Sequence, residues 1–276
     1  TFGRLLSEMG VSTADEGEVA DICIINTCSV TEVADHKCRQ AIHRMVRNHP
    51  GAFVVVTGCY AQLKPETVSR IEGVDLVLGA NEKANLIQFL SEAWGGVKNG
   101  EALHRYHTQK TKDIKTFAPS CSRGNRTRYF LKVQDGCNQF CSYCIIPFAR
   151  GRVRSRKMED VLNEIKGLAK SGYKEVVLTG IHLSSYGVDT GETLLSLIEH
   201  VHEIEGIERI RLGSLEPRIV TEDFAKRLSE LTKICPHFHL SLQSGCDSVL
   251  KRMNRRYTAE EYYEKCELLR EVFDHP

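Results

Sequence analysis

The chain reads as a two-domain α/β protein, and three observations predict that class. β-Branched runs alternate with amphipathic stretches over residues 21–94. The same alternation returns over 129–272. Between them, residues 95–128 are polar, open on Gly95-Gly96 and show little periodicity. Strands alternating with helices imply parallel sheets with helices on their faces. A length of 276 residues is enough for two domains, each with its own core.

The elements follow in order. Residues 3–9 read as a short helix. DICIIN (21–26) is a β-branched strand ending at Asn26-Thr27-Cys28. Residues 31–49 carry apolar positions at helical spacing until Pro50-Gly51 stops them. AFVVVTGCY (52–60) is a buried strand, 65–73 a helix opened by Pro65, VDLVLG (74–79) a third strand and 81–94 a further helix. After the unperiodic linker come the strand YFLKVQ (129–134) and a helix at about 158–171. Strand 174–180, helix 192–204, strand 208–214, helix 221–231, strand 237–244 and helices from 246 to 272 follow. Four βα units in a row are the start of a barrel, which would carry its chemistry at the C-terminal ends of the strands. Four units cannot close one. The expected organisation is therefore a parallel-sheet domain over 1–94, a linker over 95–128 and an incomplete (βα) barrel over 129–276. The chain also lacks an initiator Met, so truncation is expected at its start, as the unclosed barrel implies at its end.

Composition narrows the class further. The hydrophobic fraction is 41% and the charged fraction 26%, which excludes collagen-like, disordered and disulfide-scaffold proteins. No apolar run reaches the roughly 18 residues of a membrane span, and the N-terminus has no secretory core, so a cytoplasmic protein is expected. The net charge of +1 hides a local imbalance. Residues 121–157 hold nine basic side chains against one acidic, Asp135, and predict contact with a polyanion at one place.

Eleven cysteines are present. An odd number without an export signal argues against an extracellular disulfide framework. Cys137, Cys141 and Cys144 form a C-x3-C-x2-C loop directly after strand 129–134. Three thiolates within eight residues can hold three irons of a cubane and leave the fourth open to a substrate's amino and carboxylate groups. A structural zinc site draws four protein ligands, often as two separated pairs, and no second pair follows closely here. A disulfide plus a free thiol is the remaining alternative.

The loop resembles the signature of radical S-adenosylmethionine enzymes. Its setting, LKVQDGCNQFCSYCIIPFARGRVRSR, is similar to the methylthiotransferase family. ARGRVRSR, VVLTGIHLSSYG and RIRLGSLEP resemble the bacterial branch that acts on threonylcarbamoyladenosine in tRNA. INTCSVT and VVVTGCYAQ resemble that family's auxiliary-cluster domain. The resemblance runs from about residue 19 to 272. It implies that Cys137, Cys141 and Cys144 hold the catalytic 4Fe–4S cluster, whose free iron chelates S-adenosylmethionine. A reduced cluster would cleave it to methionine and a 5′-deoxyadenosyl radical, which needs a closed, water-free site. It implies that Cys28 and Cys59 are ligands of a second, auxiliary 4Fe–4S cluster that supplies sulfur. The third cysteine of that cluster falls in a segment before Thr1. The N-terminal region then becomes an auxiliary-cluster domain and the second a radical S-adenosylmethionine barrel. The partners implied are the tRNA anticodon region and an electron donor such as flavodoxin or ferredoxin.

Other residues are candidates beside alternatives. Thr179, Gly180, Ser214, Glu216 and Gln243 sit at expected strand ends and are candidate cofactor contacts, although turn and capping chemistry would place the same residues there. Ser244 follows in the same way. Arg150, Arg152, Arg154 and Arg156 alternate, so an extended segment would present them on one side to phosphates; a solvated loop is the bland alternative, and Arg150 could instead meet the cofactor carboxylate. Cys23, Cys38, Cys121, Cys235, Cys246 and Cys266 read as small apolar residues, and His182, His237 and His239 as satisfied core histidines. The expected activity is methylthiolation at carbon 2 of threonylcarbamoyladenosine. The rivals are methylthiolation of isopentenyladenosine in tRNA or of a ribosomal protein, a non-catalytic iron–sulfur RNA-binding protein, and a zinc-binding module.

Overall fold

The computed structural model describes Leu6 and residues 10–15, 17–29, 31–97, 105–115, 117, 121–122 and 128–276. The helix expected over 3–9 lies, apart from Leu6, outside the described residues. The chain forms two units, Thr1–Ile114 with Ile145–Gly151, and Lys115–Cys144 with Arg152–Pro276.

In the first unit, strands β1 (Ile22–Thr27), β2 (Phe53–Gly58), β3 (Leu76–Leu78) and β4 (Arg105–His107) pair in that order, all parallel. β4 lies in the stretch expected to be linker. Helix α1 (Glu32–Asn48) connects β1 to β2, and Thr31 opens it by accepting the Ala34 N–H at 3.1 Å. The expected strand 52–60 ends at Gly58, and its last two residues begin α2 (Cys59–Leu63). Pro65 starts α3 (Pro65–Ser69), where a proline's missing N–H costs nothing. A 3₁₀ turn (Glu82–Asn85) leads into α4 (Leu86–Val97). Every residue of β2 is buried. Val54 and Val56 pack with Ile42, Tyr60 and Val68, while Phe53 and Val55 pack with Leu76, Leu78 and Leu86. The period-2 alternation thus feeds two cores, one on each face, as parallel sheets require. Helix α5 (Ile146–Arg150) packs on α2.

In the second unit, β6 (Tyr129–Asp135), β8 (Glu175–Gly180) and β9 (Arg209–Leu212) run parallel. The short strands β5 (Cys121–Ser122) and β7 (Arg154–Ser155) lie antiparallel to β6. Helices α6 (Met158–Lys170) and α7 (Leu194–His202) follow β7 and β8, and α8 (Glu222–Ser229) follows β9. Tyr129, Leu131, Val133, Val176, Leu178 and Ile210 form one core with Ile165, Leu197, Ile198 and Leu228. The fourth strand expected over 237–244 does not form. Only an isolated bridge joins Leu240 to Leu215, and another joins Ile234 to Ile210. Turns explain the loss: His237 N–H bonds the Cys235 carbonyl, Ser244 N–H bonds the Leu242 carbonyl, and Gln243 adopts φ +67°. The segment then passes through α9 (Asp247–Arg252) into α10 (Ala259–Val272), which opens with a capping box of Thr258 and Glu261. No helix among the described residues is long and apolar enough to cross a membrane.

Candidate active site

Strand β6 ends in a buried polar knot. Gln134 is fully buried; its amide donates to the carbonyls of Asp135 at 2.9 Å and Gly136 at 2.7 Å. Its Oε1 accepts the backbone N–H of His182, just past the end of β8, at 2.7 Å. One side chain thereby joins the ends of two parallel strands. Gly180 sits against it, because a Cβ there would meet Gln134 Oε1 at 2.8 Å. Asp135 accepts the Gly136 N–H at 2.8 Å and pairs with Lys132 at 2.9 Å. Gly136, at φ +71°, then turns the chain into the cysteine loop.

Cys137 and Cys141 are buried and Cys144 half-buried, all with free thiols. The Cys144 N–H bonds the Cys141 carbonyl at 2.9 Å, and Phe140 takes φ +50° between the first two cysteines. Cys137 Sγ accepts the Gln139 N–H at 3.4 Å, and Cys141 Sγ accepts from Arg255 Nη1 at 3.4 Å. Burial pushes the Cys137 thiol up; the Gln139 N–H opposes that, and Cys141 and Cys144 add to it. If ionised, three thiolates in one short loop would call for a cation among them. Among the described residues no three His, Cys, Asp or Glu side chains close on a single ion. A cubane takes one thiolate per iron, so its ligands stand farther apart than those of one ion. The donor set, the sulfur-directed N–H groups and the strand-end position all fit a cluster.

The loop is held from far along the chain. Asn254, at φ +58°, donates its amide to the carbonyls of Gln139 and Phe140, each at 3.0 Å. Met253 O accepts the Ser142 N–H at 3.2 Å. The Arg255 guanidinium lies 4.9 Å from the Tyr257 ring centre, and its Nε donates to the Tyr257 hydroxyl at 3.1 Å. No spacing in the sequence pointed to these residues.

The expected cofactor contacts have varied fates. The Thr179 hydroxyl is spent on the Leu131 carbonyl at 3.2 Å. Ser214 is exposed and meets His239 Nδ1 at 3.1 Å. Glu216 is buried, takes Arg218 Nε at 2.7 Å, and has its own N–H bonded to Ser184 Oγ. Gln243 is exposed at the turn that ends the bridge. His182, expected to be a satisfied core histidine, bonds Ser185 Oγ through Nδ1 at 2.5 Å, but its buried Nε2 has no hydrogen-bond partner. Burial holds its pKa below the usual range, against the pull of Glu216, with Arg255 and Arg218 lowering it further. Glu216, Arg218 and Arg255 therefore act on His182, and Arg255 acts on Cys137 of the loop as well.

The four arginines do not form the expected row. Arg150 ends α5, and Gly151 at φ +77° breaks the alternation. Arg152 is exposed, its guanidinium 4.5 Å from the Phe140 ring centre. Arg154 is 5% exposed; it reaches the Arg152 carbonyl at 2.9 Å and Asp135 at 3.7 Å. Arg156 is paired with Glu164 at 2.6 Å. Pairing of Arg154–Ser155 with β6 turns one side chain of the row inward.

In the first unit, Thr27 and Gly58 are register partners, so Cys28 and Cys59 leave neighbouring strands side by side. Gly58 has φ +109°, and a Cβ there would stand 2.2 Å from the Thr27 carbonyl oxygen. The Thr27 hydroxyl donates to the Thr57 carbonyl at 2.6 Å and accepts the Ala61 N–H. Cys28 is exposed and Cys59 buried. Beside them Ser29 donates to Asp35, which also pairs with Lys64 at 2.9 Å. Cys38 Sγ donates to the Cys28 carbonyl at 3.2 Å, while Cys23 is a core residue of β1.

Residues 1–79 match the model described as "Uncharacterized protein family UPF0004". Threonylcarbamoyladenosine tRNA methylthiotransferase MtaB of Aquifex aeolicus is 42% identical over 93% of this chain and 62% of its own length. The MtaB of Bacillus subtilis is 38% identical over 98% and 59%. The tRNA-2-methylthio-N(6)-dimethylallyladenosine synthase of Clostridium tetani is 36% identical over 94% and 58%. The chain thus spans about three-fifths of the length of these relatives. The radical S-adenosylmethionine methyltransferase TsrM of Kitasatospora setae, solved with tryptophan and a cofactor analogue, superposes with a TM-score of 0.63 at 16% identity. It covers 98% of this chain and 57% of its own, a likeness of fold. The radical SAM superfamily model matches residues 131–275, just over half the chain and all of the cysteine loop, and the chain belongs to that superfamily.

Proposed function

We propose that the protein of which this chain is part is a tRNA methylthiotransferase that adds a methylthio group to carbon 2 of threonylcarbamoyladenosine next to the anticodon. One observation carries the reading: two separate cysteine sets stand at strand ends, one in each unit. A single cluster would need only the triplet. Cys28 and Cys59 are the natural ligands of a second, as a sulfur-inserting enzyme requires. Likeness to the MtaB proteins favours this nucleoside. The Clostridium tetani relative favours dimethylallyladenosine as the second choice.

Cys137, Cys141 and Cys144 would hold the 4Fe–4S cluster, which when reduced supplies the electron that cleaves S-adenosylmethionine. Thr179 and Gly180 at the end of β8, Ser214 and Glu216 just past β9, and Gln243 in the turn that replaces the fourth strand would be the chain's contacts with the cofactor, although the space beside Gly180 is filled by Gln134. Glu216, already tied to Arg218, offers a fixed carboxylate to an ammonium or to ribose hydroxyls. The apolar core beneath the strand ends would form the dry floor such chemistry requires. Of the four alternating arginines, Arg152 is exposed and is the one proposed to face RNA, with Arg150 beside it in sequence. Arg154 and Arg156 instead hold the segment in place. The domain reading, 1–94 and 129–276 about a linker, is proposed with it, with β4 inside that linker joining the first sheet; a flavodoxin or ferredoxin donor and a cytoplasmic location are proposed too. The test is mass spectrometry of tRNA nucleosides after deletion of the gene. Loss of the methylthio form of threonylcarbamoyladenosine is the expected result; loss of the methylthio isopentenyl form instead would transfer the assignment to the second substrate.

A further inference from the structure

The turn after α9 grips the cysteine loop at four points. Asn254 holds the carbonyls of Gln139 and Phe140, Met253 holds the Ser142 N–H, and Arg255 reaches Cys141 Sγ. Arg255 is itself fixed. Its guanidinium lies over Tyr257, whose hydroxyl donates to the carbonyls of Ser241 and Leu242. That side chain is too committed to be a chance contact, and it brings a permanent positive charge to one thiol of three.

We propose that Arg255 is a positioning residue that tunes the cluster: it holds the Cys141 sulfur by a charge-assisted N–H···S bond and raises the cluster's reduction potential. The inference rests on Cys141 being a cluster ligand. Reduction adds one negative charge to the cluster. A guanidinium 3.4 Å from a ligand sulfur favours the more negative state, and hydrogen bonds to the sulfurs act in the same direction. Cys137, by contrast, accepts a backbone N–H, that of Gln139, on its sulfur. The three ligands are therefore unequal, and Cys141 carries the strongest donor.

The experiment uses the full-length enzyme with both clusters assembled anaerobically. The potential of the cluster whose electron paramagnetic resonance signal responds to S-adenosylmethionine is measured alongside iron and sulfide content. Arg255→Met should keep its iron while the reduced fraction at a fixed potential falls about tenfold, a shift of about 59 mV for one electron. Arg255→Lys should recover more than half of that shift, because the charge returns. Full iron with the parent potential in Arg255→Met overturns the proposal, as do equal shifts in the Met and Lys variants. Should Arg255→Met fail to hold iron, Arg255→Lys and Arg255→Gln decide: both can donate to sulfur, and the proposal requires the Lys variant to have the higher potential. Cys141→Ala serves as the control for the underlying assignment. If it keeps the responsive cluster, that assignment has failed. If it loses the cluster while the Arg255 variants leave the potential unmoved, only the role of Arg255 has failed.

Discussion

The two units bring cysteines together by different means. In the first, Cys28 and Cys59 are 31 positions apart and meet because Thr27 and Gly58 are partners in a parallel ladder. The sheet does the placing, and the fit at the strand ends leaves no room for a Cβ on Gly58. In the second, three cysteines share one loop of eight residues, so proximity is built into the chain. Their geometry is not, and a turn more than a hundred residues away supplies it. A ligand set drawn from several strands inherits the rigidity of the sheet. One drawn from a single loop must be braced from outside.

The comparison can be broken most sharply at the cysteines. Cys141→Ala in the full-length enzyme should remove about four irons per chain and abolish release of 5′-deoxyadenosine on reduction. Cys28→Ala with Cys59→Ala should spare that release and abolish methylthiolation of tRNA. A double variant that still methylthiolates would make the strand-end pair structural, and a Cys141→Ala enzyme that still cleaves the cofactor would free the triplet of its role. A smaller effect tests the sheet itself. Gly58→Ala forces a side chain into the Thr27 carbonyl at a positive φ and should cost about 3 kcal/mol or more, read as a lowered denaturation midpoint. Parent-like stability would show that the strand ends are looser than the register implies.

The smallest expected effect concerns the basic segment. Arg152→Gln should flatten the slope of log affinity for tRNA against log salt by about 0.7, one single-strand phosphate contact. Arg154→Gln should leave the slope alone and lower stability, since it removes a buried partner of Asp135. A salt titration beside a denaturation curve separates the two. Equal changes of slope would restore the row of phosphate contacts that alternation in the sequence predicts.

Most of the local order was legible. β-Branched runs marked β1, β2, β6 and β8 within one or two residues, and the triplet's spacing marked the loop. Three things were not. β4 is three residues of mixed character in a polar stretch, and only its pairing with β3 makes it a strand. Residues 237–244 carry strand-like alternation, yet a positive φ at Gln243 and tight turns on both sides override it. Asn254, Arg255 and Gln134 act through contacts that leave no period or motif behind. Arg255 in particular looks like one basic residue among four at the end of α9, and only its contact with Cys141 distinguishes it.

The distance along the chain between Cys141 and its brace also sets an order of events during synthesis. They are 114 positions apart. At roughly 5–20 residues per second, Cys141 is made on the order of ten seconds before Arg255. Throughout that interval three neighbouring thiols stand on an unbraced loop. They are open to oxidation or to mispairing with one another. On the proposed reading, cluster insertion has its braced template only once the turn at 253–255 has been made.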